Sequence, residues 1–221
     1  MGETLQMKAA DGHTFPAYVA RPAGKARGAV VVLQEIFGVN SHIRAVADGY
    51  AAEGYLAVAP STFHRVKADV ELGYSPDDMS AGIALKAAVE ALPAPGVLAD
   101  IQAAIDHASQ AGKVGIVGYC WGGLLTWRAA CLLQGLSAAA PYYGGGTTTP
   151  DEIARKPKVP RLSNLWSRKA PASSAKRKLL QKKNCLKPAP KLPTLQPISL
   201  PKHPANGTNS RPFSKSVLLK P

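Results

Sequence analysis

The segment Gly118-Tyr119-Cys120-Trp121-Gly122 holds the residues best suited to covalent chemistry. A thiol is a strong nucleophile once ionised, and a glycine two positions away on each side lets the chain turn sharply around it. The apolar run 113–117 ahead of it reads as a strand, and 121–133 behind it as a helix. In that setting Cys120 stands at a helix N-terminus, where the dipole favours a thiolate. The backbone N–H of Trp121 is then an oxyanion donor. The plainer alternative is that Cys120 is a small buried hydrophobe in a tight turn. A second group, Gln34-Glu35-Ile36-Phe37-Gly38-Val39-Asn40, follows the apolar run 28–33. An acid just past the carboxyl end of a parallel strand points at the crevice where such sheets bind ligands. Ile36 or its neighbour is the candidate for a second oxyanion N–H. For Glu35 alone, the alternative is a solvated loop carboxylate.

These groups need a sheet to hold them. The short β-branched runs 28–33, 56–59 and 113–117 read as buried strands, with a weaker one at 136–143. Between them lie helical patterns at 42–53, 78–91, 97–110 and 121–133. The second has Asp77 and Asp78 as candidate N-caps and stops before Pro93, and the third is followed by Gly112. Strands alternating with helices argue an α/β fold, a mainly parallel sheet with helices on both faces.

Composition divides the 221 residues in two. Residues 1–150 carry 10 Lys+Arg against 12 Asp+Glu, whereas 151–221 carry 17 against 2 and account for the net charge of +13. Nineteen of 20 glycines precede residue 151, and 11 of 19 prolines follow it. The expected organisation is a globular domain over 1–155 and a basic, Pro-rich, disordered tail over 156–221. Such a tail binds polyanions by counterion release, without specific recognition of nucleic acid, since no recognition motif is present. Three cysteines in so long a chain exclude a disulfide-stapled mini-protein. The first twenty residues lack the apolar core of a secretory signal, and the apolar stretch 114–133 is interrupted by Arg128 and four glycines. A cytoplasmic monomer with no membrane span is expected. Cys131 and Cys185 have no metal-ligand spacing, and His13, His42, His64 and His107 are scattered, so no metal is expected. Gly144-Gly145-Gly146 opens no helix and cradles no phosphate, so no cofactor is expected either.

Four segments together resemble the dienelactone hydrolases (carboxymethylenebutenolidases) of the α/β-hydrolase fold. They are LQEIFGVN at 33–40, AVAPSTFHR at 57–65, residues 113–123, and PYYGGG at 141–146. The resemblance covers about residues 5–155. It implies a cysteine nucleophile at Cys120, and Glu35 as the group that holds the thiol and helps to generate the thiolate once substrate binds. The implied reaction opens an unsaturated lactone through an acyl-cysteine, so the implied partner is a small lactone or ester. The family completes its triad with an Asp and a late His. Here no Asp or Glu follows Glu152, and His203 sits in Leu200-Pro201-Lys202-His203-Pro204 rather than a His-Gly-Phe setting. The family's substrate-binding Arg is also unmatched, since only Lys86 and Lys113 lie between Lys67 and Arg128. A truncated sheet and impaired catalysis follow from these departures. The abrupt loss of acids and glycines reads as a change of reading frame near 158–164. The alternative function is a non-catalytic chain that binds polyanions through its tail.

Overall fold

The computed structural model describes residues 2–160. Within them a six-stranded sheet runs in the order β1-β2-β4-β3-β5-β6. The strands are β1 (Glu3–Lys8), β2 (Thr14–Ala20), β3 (Ala29–Leu33), β4 (Leu56–Pro60), β5 (Val114–Tyr119) and β6 (Leu136–Tyr142). The last four pair in parallel, and β1 and β2 add an antiparallel hairpin on the β4 side. The helices are α1 (Ser41–Ala52), α2 (Pro76–Glu90), α3 (Val97–Ser109), α4 (Trp121–Leu132) and the short α5 (Pro150–Ala154).

β3 is the strand on which the rest is organised. All five of its residues are buried, as expected where both faces of a parallel sheet are covered. Ala29, Val31 and Leu33 join one apolar cluster with Ile101, Ala104 and Ile105 of α3 and Leu124 and Leu125 of α4. Val30 and Val32 point the other way, into a second cluster with Ile43, Ala47 and Ala51 of α1. The period of two along the strand therefore requires helices on both faces, as the sequence pattern anticipated.

Some boundaries move. α1 begins at Ser41 because the Asn40 side chain caps it, accepting the N–H of Ile43 at 3.2 Å. α2 begins at Pro76, not Asp78: Ser75 is the N-cap, and Asp78 is the third residue of a capping box whose carboxylate accepts the Ser75 N–H. β1 and β2 have no counterpart among the expected strands. β1 is half exposed at the sheet edge, and β2 contains Pro16, which reads as a breaker in sequence but is tolerated beside the edge strand.

Past α5 the chain stays attached to the sheet, for the Lys158 N–H donates to the Ala130 carbonyl at 2.8 Å and the Ala139 N–H to the Pro160 carbonyl at 3.2 Å. Of the tail expected over 156–221 and the frame change expected near 158–164, the part past residue 160 lies outside the described residues, as do Cys185 and His203. Among the described residues no helix is long and apolar enough to cross a membrane.

Candidate active site

Strand order brings the two chemical segments together. β3 lies beside β5, with Leu33 opposite Gly118. Glu35 and Cys120, each two residues further on, therefore leave the sheet at the same carboxyl end. β6 pairs with β5 through Tyr119 and Tyr142, so Tyr143 emerges next to them.

Cys120 is the N-cap of α4, with φ 54° and ψ −119°. That left-handed backbone is costly for a residue with a Cβ, by about 1–3 kcal/mol. It persists because the surroundings fix it. The Cys120 N–H donates to the Tyr142 carbonyl at 3.1 Å, and its own carbonyl accepts the Gly123 N–H at 2.9 Å. The flanking glycines are demanded by close approach. A Cβ on Gly118 would lie 2.1 Å from the Gly122 carbonyl oxygen, and one on Gly122 would lie 2.3 Å from that of Gln34. The turn is thus pressed against the loop that carries Glu35.

That loop is itself braced. Gln34 is fully buried; its side-chain oxygen accepts the Thr62 N–H at 3.3 Å, and its amide donates to the Glu35 carbonyl at 3.3 Å. Asn40, besides capping α1, donates to the Leu72 carbonyl at 3.1 Å. Gly38 has φ 83° and runs so close to Val70 that no side chain would fit. Two loops far apart in sequence thereby hold the backbone around Glu35 and Ile36.

The half-buried Glu35 carboxylate accepts the Tyr143 hydroxyl at 2.9 Å, and burial and then the charge of Glu35 raise the Tyr74 phenol. Tyr143 adopts φ 37°, a second strained position at this end of the sheet. Burial and then the charge of Glu35 push the Tyr143 phenol well above its ordinary range. Cys120 feels the same field. Burial is the main influence and pushes its thiol up; the Trp121 N–H pulls it down, Glu35 pushes it up again, and Lys86 pulls it down. The pull of the helix N-terminus toward a thiolate is felt through the Trp121 N–H, and burial and Glu35 oppose it. A helix end favours an anion by roughly 0.3–1 kcal/mol when exposed, and here desolvation with an adjacent carboxylate outweighs it.

Trp121 is almost fully buried, stacks on Phe63 at 5.0 Å between ring centroids, and donates its indole N–H to Glu90 at 2.9 Å. These contacts tie the start of α4 to α2 and to the loop after β4. Neither Tyr143, Tyr74 nor Gln34 was singled out by sequence reasoning. Tyr143 lay inside the PYYGGG segment, while Tyr74 gave no local signal. A cavity of about 370 Å³ lies elsewhere, lined by Asp11, His13, Arg65 and residues 92–96, with neither Cys120 nor Glu35 in its wall. Among the described residues no cluster of three or more metal-ligating side chains occurs.

A model of the dienelactone hydrolase family matches residues 15–183, running past the point at which the motif resemblance stops. A carboxymethylenebutenolidase of Pseudomonas putida is 32% identical over 167 residues, which cover 74% of this chain and 70% of that protein. A Synechocystis protein assigned provisionally as a carboxymethylenebutenolidase is 38% identical over 135 residues, covering 58% of this chain and 53% of its own. A crystal structure of a protein from Klebsiella pneumoniae, provisionally assigned as a dienelactone hydrolase, superposes with a TM-score of 0.53 at 34% identity, covering 65% of this chain and 60% of that one. The chain spans about half the length of the Synechocystis relative and of its Escherichia coli counterpart, 53% and 54%.

Proposed function

The chain belongs to the dienelactone hydrolase family, and from that premise we propose that it acylates Cys120 with an unsaturated lactone or activated ester and releases the acyl group slowly. The observation that carries this reading is the placement of Cys120 on a strained, glycine-flanked turn, at the end of the strand adjoining the one that leads to Glu35. A protonated thiol beside a carboxylate is a latent nucleophile. When substrate displaces water and seats its carbonyl over Cys120, the thiol proton passes to Glu35 and the sulfur attacks the carbonyl carbon. The negative charge that moves to the carbonyl oxygen is met by the backbone N–H groups of Trp121 and Ile36. Collapse of that intermediate breaks the ring C–O bond, releases the enolate oxygen and leaves a thioester on Cys120. Lys86, the cation felt by the thiol, favours the anionic stages.

Hydrolysis of the thioester needs a base for water, and a Cys-His-Asp system supplies it through His. No Asp or Glu follows Glu152 and the one later histidine, His203, lacks the family's setting. Loss of triad members costs several powers of ten in turnover. Intact-protein mass spectrometry after mixing with a dienelactone or p-nitrophenyl acetate tests the reading. One acyl adduct on Cys120, slow product release after it, and no adduct in Cys120→Ala are expected. An adduct that survives Cys120→Ala, or none at all, refutes it.

A further inference from the structure

The last residue of α2, Glu90, carries a carboxylate where the helix itself gains nothing from one. The carboxyl end of a helix disfavours negative charge, and no basic side chain lies in the last turn of α2 to offset it. The partners of Glu90 are on α4 instead. Its Oε1 accepts the Trp121 indole N–H at 2.9 Å and lies 3.8 Å from Arg128 Nη1. Arg128 has a closer partner in Glu152, at 2.7 Å, so the indole is the tighter of the two contacts. We propose that Glu90 is a positioning residue for acylation of Cys120: through the Trp121 indole it fixes the start of α4, and with it the backbone N–H that meets the charge on the substrate carbonyl. This role rests on the Cys120 reaction proposed above.

Trp121 is held from two sides. Its ring is almost fully buried and stacks on Phe63, with the planes inclined at 12°. Its one polar side-chain atom is satisfied by Glu90. Stacking alone lets a ring slide in its own plane, whereas a hydrogen bond from the ring edge stops that motion. Trp121 is the first residue of α4, so its backbone N–H has no acceptor within the helix. That N–H acts on the Cys120 thiol. Cys120, one position earlier, has φ 54°, a conformation that persists only where its surroundings over-determine it. An immobilised side chain on the next residue is one such constraint.

α2 also reaches the second oxyanion donor. Gly82, eight positions before Glu90, packs so closely on the 34–40 loop that a Cβ there would lie 2.3 Å from the Ile36 carbonyl oxygen. Eight residues of helix span about 12 Å. The helix therefore touches Ile36 near its middle and Trp121 at its end, the two residues whose N–H groups face the developing charge. Gly82 and Val89 are the buried residues of α2, so it docks along a narrow stripe. The bond from Trp121 pins the end beside Val89, and a shift of that end changes the spacing between the two donors.

The test separates ester acylation from alkylation in the whole 221-residue chain. p-Nitrophenyl acetate acylates Cys120 through an oxyanion; iodoacetamide alkylates it by displacement of iodide at carbon, with no oxyanion formed. Single-turnover acylation should slow at least about tenfold in Glu90→Leu, as removal of a well-placed oxyanion donor costs about 10²–10³-fold and misplacement a part of that. Alkylation on its high-pH plateau, where the thiolate is fully formed, should stay within about twofold of the parent. Glu90→Gln keeps an oxygen for the indole and should restore acylation to within about threefold. Trp121→Phe keeps a ring against Phe63 but removes the donor; it should show the same split as Glu90→Leu, and replaces it should Glu90→Leu fail to fold. Equal slowing of acylation and alkylation, unchanged acylation in either Glu90→Leu or Trp121→Phe, or a Glu90→Gln chain as slow as Glu90→Leu overturns the proposal. A parent chain that is alkylated but never acylated removes the Cys120 reaction itself, and the role of Glu90 with it.

Discussion

Gly122→Ala separates close packing from mere turn preference. Gly122 lies in the first turn of α4, where alanine is the better helix former by about 0.8–1 kcal/mol. If nothing pressed on this position, the substitution would stabilise the protein. The structure puts the new Cβ 2.3 Å from the Gln34 carbonyl oxygen and 2.7 Å from that of Leu33, whereas such contacts are essentially never under 3.0 Å. Helix α4 or the 34–40 loop must therefore retreat by at least about 0.7 Å. Both obstacles are backbone at the end of the buried strand β3, so no flexible side chain can absorb the strain. Overpacking of this kind costs about 1–3 kcal/mol, enough to reverse the sign of the propensity gain. The displacement also acts directly between Cys120 and Glu35. A misplacement approaching 1 Å lowers reaction rates on the order of 100-fold. Urea denaturation should show Gly122→Ala less stable than the parent, and single-turnover acylation of Cys120 should slow by more than the stability loss alone explains. Gly145→Ala, where a Cβ meets nothing within 4 Å, serves as the control and should change neither. A Gly122→Ala protein as stable as the parent, acylating at the parent rate, would refute the claim that the two loops are in hard contact.

Two further outcomes follow from the charges. Arg65→Met strands the fully buried Asp100 carboxylate and should cost about 3–5 kcal/mol in urea denaturation, as breaking one side of a buried ion pair does; a loss below 1 kcal/mol would show that water reaches Asp100. Because burial and then Glu35 raise the Cys120 thiol, iodoacetamide alkylation of Cys120 should inflect at higher pH than for a free thiol. Glu35→Gln should move that inflection toward acid, since removing a nearby negative charge favours the thiolate. The sign carries over to stability: a thiol raised in the folded state contributes stability below its unfolded value, and that contribution fades as pH climbs through the folded one. An inflection left in place by Glu35→Gln would separate the two groups.

What the sequence disclosed was what is local. The β-branched run at 29–33 and the glycines around Cys120 each announce their element within a few residues, and the sheet places them as expected. The antiparallel hairpin escaped notice because β1, ETLQMK, is mostly polar and β2 contains Pro16. Its strand character comes from pairing onto β4, which no short window contains. The bracing of the Glu35 loop is likewise non-local: Gln34 reaches Thr62 and Asn40 reaches Leu72, across 28 and 32 positions. The contact between the His13 and His64 rings likewise spans 51 positions and leaves no local signal.

The state of Cys120 shows why position on a helix is insufficient to predict reactivity. The helix N-terminus supplies a favourable field, and the Trp121 N–H delivers part of it at the thiol. But the turn that exposes the residue to a substrate also seats it against Tyr142 and the Glu35 loop, away from bulk water. Desolvation disfavours the charged form, and the carboxylate opposes it again. A thiol kept neutral in this way is poorly reactive toward adventitious electrophiles, and its ionisation is coupled to whatever relieves the carboxylate. Under the proposed mechanism, the Tyr143 hydroxyl that donates to Glu35 occupies a lone pair on which the thiol proton would arrive. Under that mechanism, selectivity for a bound ester over a passing alkylating agent would be set at Glu35 and Tyr143 rather than at the cysteine itself.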